Sequence, residues 1–234
     1  MADASRPPAR PTGDPADAWR GRRRRRDHGS KRDAVIRTAA RAFDERGYHN
    51  TSLDDIAAAL GVTKPTVYYY VPNKEQLLFE CFVAGLEPIR AALRRAEQAP
   101  GTGRERLREV IRDYAVAIAS EYGWCMVRAE HQDLGADLSG QVKALKTEID
   151  RGIRKLLQAG IADGSIAVQD AKLAAFAIAG SLNWIAHWYR AGRSHTPEQV
   201  ADAFVQFLEH GLAPRPVRAG VAAAKPRRKA NAPA

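Results

Sequence analysis

Apolar residues recur at helical spacing from residue 31 to residue 210, and no stretch shows the two-residue alternation of a half-buried strand. Between Lys31 and Arg46, the stripe Val35, Ile36, Ala39, Ala40 and Phe43 predicts a helix that Gly47 ends, with Tyr48 closing a small core behind it. Thr51 and Ser52 can cap the next helix, and Asp54 and Asp55 answer the cap. Leu53, Ile56, Ala57 and Leu60 then share one face, and Gly61 supplies the left-handed residue that stops the helix. A short third helix starts at Thr63, accepts Pro65 in its first turn, where N–H groups have no intrahelical partner, and stops at Pro72. Asn73, answered by Gln76, opens a long helix to about Gln98, with Leu78, Phe82, Leu86, Ile89 and Leu93 on one side and Pro88 in its interior, where a kink is expected.

After the turn at 100–103, a helix from about Arg104 to Tyr122 carries Leu107, Val110, Ile111, Tyr114 and Ile118 in register. The pattern breaks over Gly123 to Met126, and Glu130 to Asp137 reads as loop. Helical spacing resumes from Leu138 to Ala159 and ends at Gly160 and Asp163-Gly164. The stretch from Asp170 to Arg190 is apolar nearly all round, so burial on several faces is expected. A last amphipathic helix runs from Thr196-Pro197 to His210. The expected fold is all-α with about nine helices: a three-helix helix-turn-helix unit in 31–77 and a helical ligand-binding and dimerisation domain in 78–211, between an N-terminal arm (1–30) and a C-terminal tail (212–234).

The third helix presents Thr63, Lys64, Thr66, Tyr68 and Tyr69, hydroxyls and an ammonium with no acid among them, which suits phosphate oxygens and base edges. Thr51, Ser52, Pro65 and Lys74 complete the candidate DNA surface, while Val67, Tyr70 and Val71 suit the core of the unit. One short helix reads few base pairs, so a dimer on an inverted repeat is expected.

Charge changes this picture in one respect. The net +10 lies in the ends: residues 1–32 hold ten Lys/Arg against four acids, residues 213–234 hold six against none, and the 33–212 body is close to neutral with 21 against 23. The reading unit is no basic patch, so bulk attraction to DNA would come from the ends, which lack apolar periodicity and are expected to be disordered. Arg22, Arg23, Arg24, Arg25 and Arg26 form an arm that could lie in the minor groove; a solvated tail or a misassigned start are the alternatives.

No run approaches a membrane span, and two cysteines far apart in sequence, Cys81 and Cys125, with no signal peptide, fit a reducing cytoplasm. No metal, cofactor or catalytic set is indicated: His131 and His187 stand without a nucleophile. Tyr114, Ile118, Trp124, Met126 and Trp184, from separate helices of the second half, are candidates to line a small-molecule pocket.

The run GVTKPTVYYYVPNKEQLL, with Phe43 and Gly47-Tyr48 before it, resembles the N-terminal domain of TetR-family transcriptional regulators. Val71 stands where that family usually has phenylalanine and Pro65 where it often has glycine, which removes one N–H that could meet a phosphate. The resemblance implies a ligand-responsive repressor, with the last two helices paired in a four-helix dimer interface; Ala177, Trp188, Phe204, Phe207 and Leu208 are its candidates. The segment Leu182-Asn183-Trp184 to Trp188-Tyr189-Arg190 is similar to members that sense acyl-CoA thioesters, which implies a cation such as Arg128 or Arg190 at a phosphate. Two other functions stay open at this point: a nonspecific nucleic-acid binder driven by the tails, and a redox sensor using Cys125.

Overall fold

The computed structural model describes residues 27–129 and 133–210, so the arginine run 22–26, His131 and the C-terminal tail lie outside the described residues. Within them the chain is all helical: α1 (Asp27–Arg46), α2 (Leu53–Leu60), α3 (Lys64–Tyr70), α4 (Lys74–Gln98), α5 (Gly103–Ile118), α6 (Gly123–Val127), α7 (Ala136–Ala162), α8 (Ala171–Asn183), α9 (Ile185–Trp188) and α10 (Pro197–His210). Among the described residues no helix is long and apolar enough to cross a membrane, and no three His, Cys, Asp or Glu side chains are placed to hold a metal ion together.

Helix starts follow local chemistry. Ser52 and Asp55 form a reciprocal capping box on α2, Thr102 and Glu105 do the same on α5, and the Asn73 side chain accepts the Gln76 N–H at 2.7 Å to open α4. Gly61 closes α2 at φ 66°, a left-handed conformation that a Cβ would strain.

One core runs the length of the protein because α4 belongs to both halves. Its Leu77, Leu78 and Phe82 are fully buried against Val35, Phe43 and Val67 of the reading unit, while Leu86, Ile89 and Leu93 continue into the body. There α5 is central, packed by α4, α7, α8 and α10. Gly103 and Gly160 mark the tightest crossing, where a side chain on the first would run into the backbone of the second, and Asp163 Oδ2 accepts the Gly103 N–H at 2.6 Å. Arg104 and Arg108 clamp Glu209, the latter through two bonds of 2.9 Å, and Arg112 pairs with Asp202, so α10 is strapped along α5.

Four sequence expectations change. The helix expected to reach Tyr122 ends at Ile118, because the Ser120 hydroxyl takes the Ala117 carbonyl at 2.6 Å and the chain folds back so closely that Gly123 faces the Ile118 carbonyl with no room for a side chain. What read as a break at 123–126 is then the short helix α6. The single helix expected over 170–190 divides at Trp184 into α8 and α9 and leaves the helical path at Tyr189. It is also not buried on several faces: Leu173 is 64% exposed and Phe176 52%. Composition gave its apolarity, but one copy of the chain covers only the Ala175, Ile178, Leu182 side.

Candidate nucleic-acid interface and ligand cavity

Val67 and Val71 anchor α3 in the core, which turns Lys64, Pro65, Tyr68 and Tyr69 outward, Tyr69 being 72% exposed, with Thr66 half-buried beside them. The Thr63 and Thr66 hydroxyls bond each other at 2.9 Å, and Lys64 Nζ lies 2.8 Å from Asp54 Oδ2, a bond that raises the lysine pKa. Ser52 is exposed at the start of α2, its hydroxyl shared with Asp55, whose carboxyl the Ser52 hydroxyl and N–H hold below the usual range. These seven residues form one outward surface.

Two of the nine expected DNA contacts belong elsewhere. Thr51 is 1% exposed, and its hydroxyl donates to the Gly47 carbonyl at 2.9 Å with the Ala42 carbonyl at 3.2 Å, so it fastens α2 to the end of α1. Lys74 donates to the Tyr48 carbonyl at 2.8 Å and lies 4.2 Å from that ring, a cation–π contact inside the unit. Both look like available donors in sequence; each is consumed by a backbone carbonyl that the fold brings to it.

The unit is held to the body by polar bonds as well as by α4. Gly135 N–H donates to Glu75 Oε1 at 2.6 Å, His49 Nε2 lies 2.9 Å from Asp133 Oδ1, and Arg37 Nε lies 3.0 Å from Glu121. Cys81 and Cys125, distant in sequence, are both fully buried, and the Cys81 thiol donates to the Ile36 carbonyl at 3.4 Å; burial foremost, then the influence of the Cys125 thiol, pushes the Cys81 thiol well above its ordinary range. Cysteines buried in apolar surroundings are inert, whereas redox-sensing thiols are partly exposed.

In the body a cavity of about 370 Å³ opens between α4, α5, α6, α7 and α8. Leu86, Ile118, Met126 and Ile153 supply apolar wall, and α7 adds Lys143, Lys146, Thr147 and Asp150. Met126 reaches this place because Gly85 has no side chain: a Cβ there would lie 2.7 Å from Met126 Cγ. The buried Tyr114 hydroxyl donates to Asn183 Oδ1 at 3.1 Å, and burial raises its pKa to about 12, so it remains a neutral donor. Burial likewise lowers the Lys146 pKa.

Of the expected pocket residues, Tyr114, Ile118 and Met126 line this cavity and three do not. Trp124 packs half-buried against the core, Arg128 is exposed, and Trp184 is 62% exposed, stacked 4.5 Å from the His187 ring. Trp184 points outward because Leu182 and Ile185, both fully buried, claim the inner side of the chain at that turn. Sequence reasoning missed Lys143, Lys146, Phe176 and Asn183. The polar positions Lys143, Lys146, Thr147 and Asp150, at i, i+3, i+4 and i+7 on one face of α7, were a visible signal of a polar strip.

Leu173, Ala177 and Gly180 of α8 are exposed together with Trp184, Trp188 and Phe207, Phe176 is exposed at the rim of the cavity, and Phe204 and Leu208 of α10 are half-buried. A side chain at Gly180 would meet nothing, so this strip faces open space. Several large exposed aromatics on neighbouring chain segments mark an interaction surface.

Comparison with known proteins is consistent along the chain. A family model described as bacterial regulatory proteins, tetR family, matches residues 35–81, and one described as tetracyclin repressor-like, C-terminal domain, matches residues 100–212. The HTH-type transcriptional repressor KstR2 of Rhodococcus jostii is 28% identical over 186 residues, covering 78% of this chain and 91% of that protein. The HTH-type transcriptional activator FasR of Mycolicibacterium smegmatis is 24% identical over 200 residues, covering 85% and 89%. Among solved structures, AibR in complex with isovaleryl coenzyme A and operator DNA superposes with a TM-score of 0.65 at 30% identity, covering 75% of this chain and 96% of that one.

Proposed function

We infer that this chain, a DNA-binding transcriptional regulator that belongs to the TetR family, acts as a homodimeric repressor whose two α3 helices hold an inverted repeat until a small acyl-bearing effector fills the body cavity. The outward surface of α3 carries the reading. Val67 and Val71 fix the helix while Lys64, Thr66, Tyr68 and Tyr69 lie on its outer side, an arrangement suited to the major groove. The exposed strip of α8 and α10 would pair with its copy by twofold symmetry, covering the aromatics and setting two heads about one helical turn, ~34–36 Å, apart. Work in the cytoplasm on a bacterial nucleoid is part of the same reading.

Support for an acyl-bearing effector comes from the apolar wall of Leu86, Ile118 and Met126, together with the likeness to AibR, which binds isovaleryl coenzyme A. The decisive experiment is fluorescence anisotropy of the full-length protein on the inverted repeat in the promoter beside its own gene, with and without acyl-CoAs. Binding of one dimer per repeat that acyl-CoA releases supports the reading. Equal affinity for unrelated DNA, lost when both basic ends are removed, replaces it with a nonspecific binder. Removing residues 1–26 in the same assay tests the arm: each phosphate contact it makes contributes about 0.9 to the salt slope.

A further inference from the structure

The cavity wall holds charge that the protein does not answer. Lys143 and Lys146 sit almost one turn apart on α7 and both line the space. Among the described residues neither forms a salt bridge, although surface lysines elsewhere do: Lys155 pairs with Glu97 and Lys64 with Asp54. The carboxylate nearest in sequence on the same wall, Asp150, is engaged by Arg154 through Nε at 3.1 Å and Nη2 at 2.6 Å. Glu148, on the outer side, is taken by Arg90 at 3.0 Å. Lys146 instead lies 5.3 Å from the Phe82 ring, half-buried, where desolvation works against its charged form. A lysine kept in apolar surroundings with a cation–π contact as its partner is a charge in need of an anion.

We propose that Lys146, seconded by Lys143, is the anchor for an anionic group of the effector, whose hydrocarbon part lies against Leu86, Ile118 and Met126. This rests on the cavity being the effector site. The anion enters the cavity itself, so neither Arg128 nor Arg190 is needed to meet it. The chemistry is shared by two sources, the carboxylate of a free acid and a phosphate of a coenzyme A thioester. A charge-assisted bond from Lys146 in this partly dry site would discriminate strongly against a neutral analogue.

The test is calorimetric titration of the full-length protein with octanoate, octanoyl-CoA and octanol, on wild type, Lys146→Met, Lys146→Arg and Ala179→Leu, the last filling the cavity beside Phe176. Methionine keeps the apolar stem of the lysine, and thermal melts establish that each variant is folded. The expected result is that at least one anion binds, that octanol is weaker by about tenfold or more, and that Lys146→Met costs the anion about tenfold while Lys146→Arg retains it. Which anion wins identifies the source. If octanol binds as well as the anions, or Lys146→Met changes nothing while Ala179→Leu abolishes binding, the anchor is overturned and the cavity stands as effector site. If nothing binds, or Ala179→Leu leaves every affinity unchanged, the cavity reading fails and the anchor with it.

Discussion

The Lys64 ammonium rests 2.8 Å from the Asp54 carboxylate, joining the first turn of α3 to the first turn of α2 across the glycine turn. Both side chains are more than half exposed, so the pair adds little to stability, but it occupies a cation that DNA would use. Asp54→Asn is therefore expected to leave the melting temperature unchanged and tighten operator binding about threefold at low salt. Lys64→Ala should weaken binding to all sequences and lower the salt slope by about 0.9 per copy, whereas Thr66 substitutions should shift sequence preference. Anisotropy at several salt concentrations separates the two.

Thr51 sits in the same motif and behaves oppositely. Thr51→Val keeps its shape and removes the hydroxyl that donates to the Gly47 carbonyl, at an expected cost of about 1–2 kcal/mol in denaturant melts. Affinity per folded molecule should not change. Ser52→Ala, which removes the cap of α2, should cost about 1 kcal/mol and also weaken DNA binding, because Ser52 is exposed on the reading side.

Trp184 and Phe207 test the pairing of copies. Trp184→Glu combined with Phe207→Asp puts charge on the exposed strip without touching the buried side of α8. Sedimentation should show a monomer with wild-type helix content, and affinity for a full inverted repeat should fall about a hundredfold or more while a half-site is barely affected. A dimer that survives both charges places the interface elsewhere.

Acid should loosen α10 through Glu209. Burial pushes its carboxyl up, but the bonds and charges of Arg108 and Arg104 outweigh burial and hold the folded pKa below the usual value. The stabilisation is thus fully present above the unfolded glutamate pKa of about 4.3 and is lost as pH falls through the lower folded value. Stability should be flat in this respect from about pH 6 to 8 and decline below about pH 4. Glu209→Gln should be less stable near neutrality and lose part of that acid dependence in pH-resolved melts.

What the sequence disclosed was what neighbours in the chain decide. The cap at Ser52, the left-handed Gly61, the stop at Pro72 and the restart at Asn73 are each fixed within three or four residues, so the three-helix unit could be laid out before any coordinates. The partners of Lys74 and Glu75 lie 26 and 60 residues away, and no periodicity names them. Trp184 shows a different limit: a helix that is apolar nearly all round carries no directional signal, so its inner and outer faces are set only when Leu182 and Ile185 find the core. The cavity was half visible, in Tyr114, Ile118 and Met126, because apolar residues announce burial. Its lysines were passed over because a lysine on a helix is ordinarily a solvated one.

Leu86 touches the cavity and Lys74 begins the same helix under the reading unit, about 18 Å away at 1.5 Å per residue, with no proline between them. Pro88 comes two residues after Leu86, on the far side from the reading unit, where it deprives the Ala84 carbonyl of its partner. With the effector in the cavity as proposed, α4 would act as a lever: a stiff arm, a point of load at Leu86 and Met126, and behind the load the turn that Pro88 leaves one hydrogen bond short. A tilt of about ten degrees at that turn displaces the end of the arm by roughly 3 Å over such a length. Half a groove width is not required to spoil a fit made by one seven-residue helix; sensing and letting go can be a single motion of one rod.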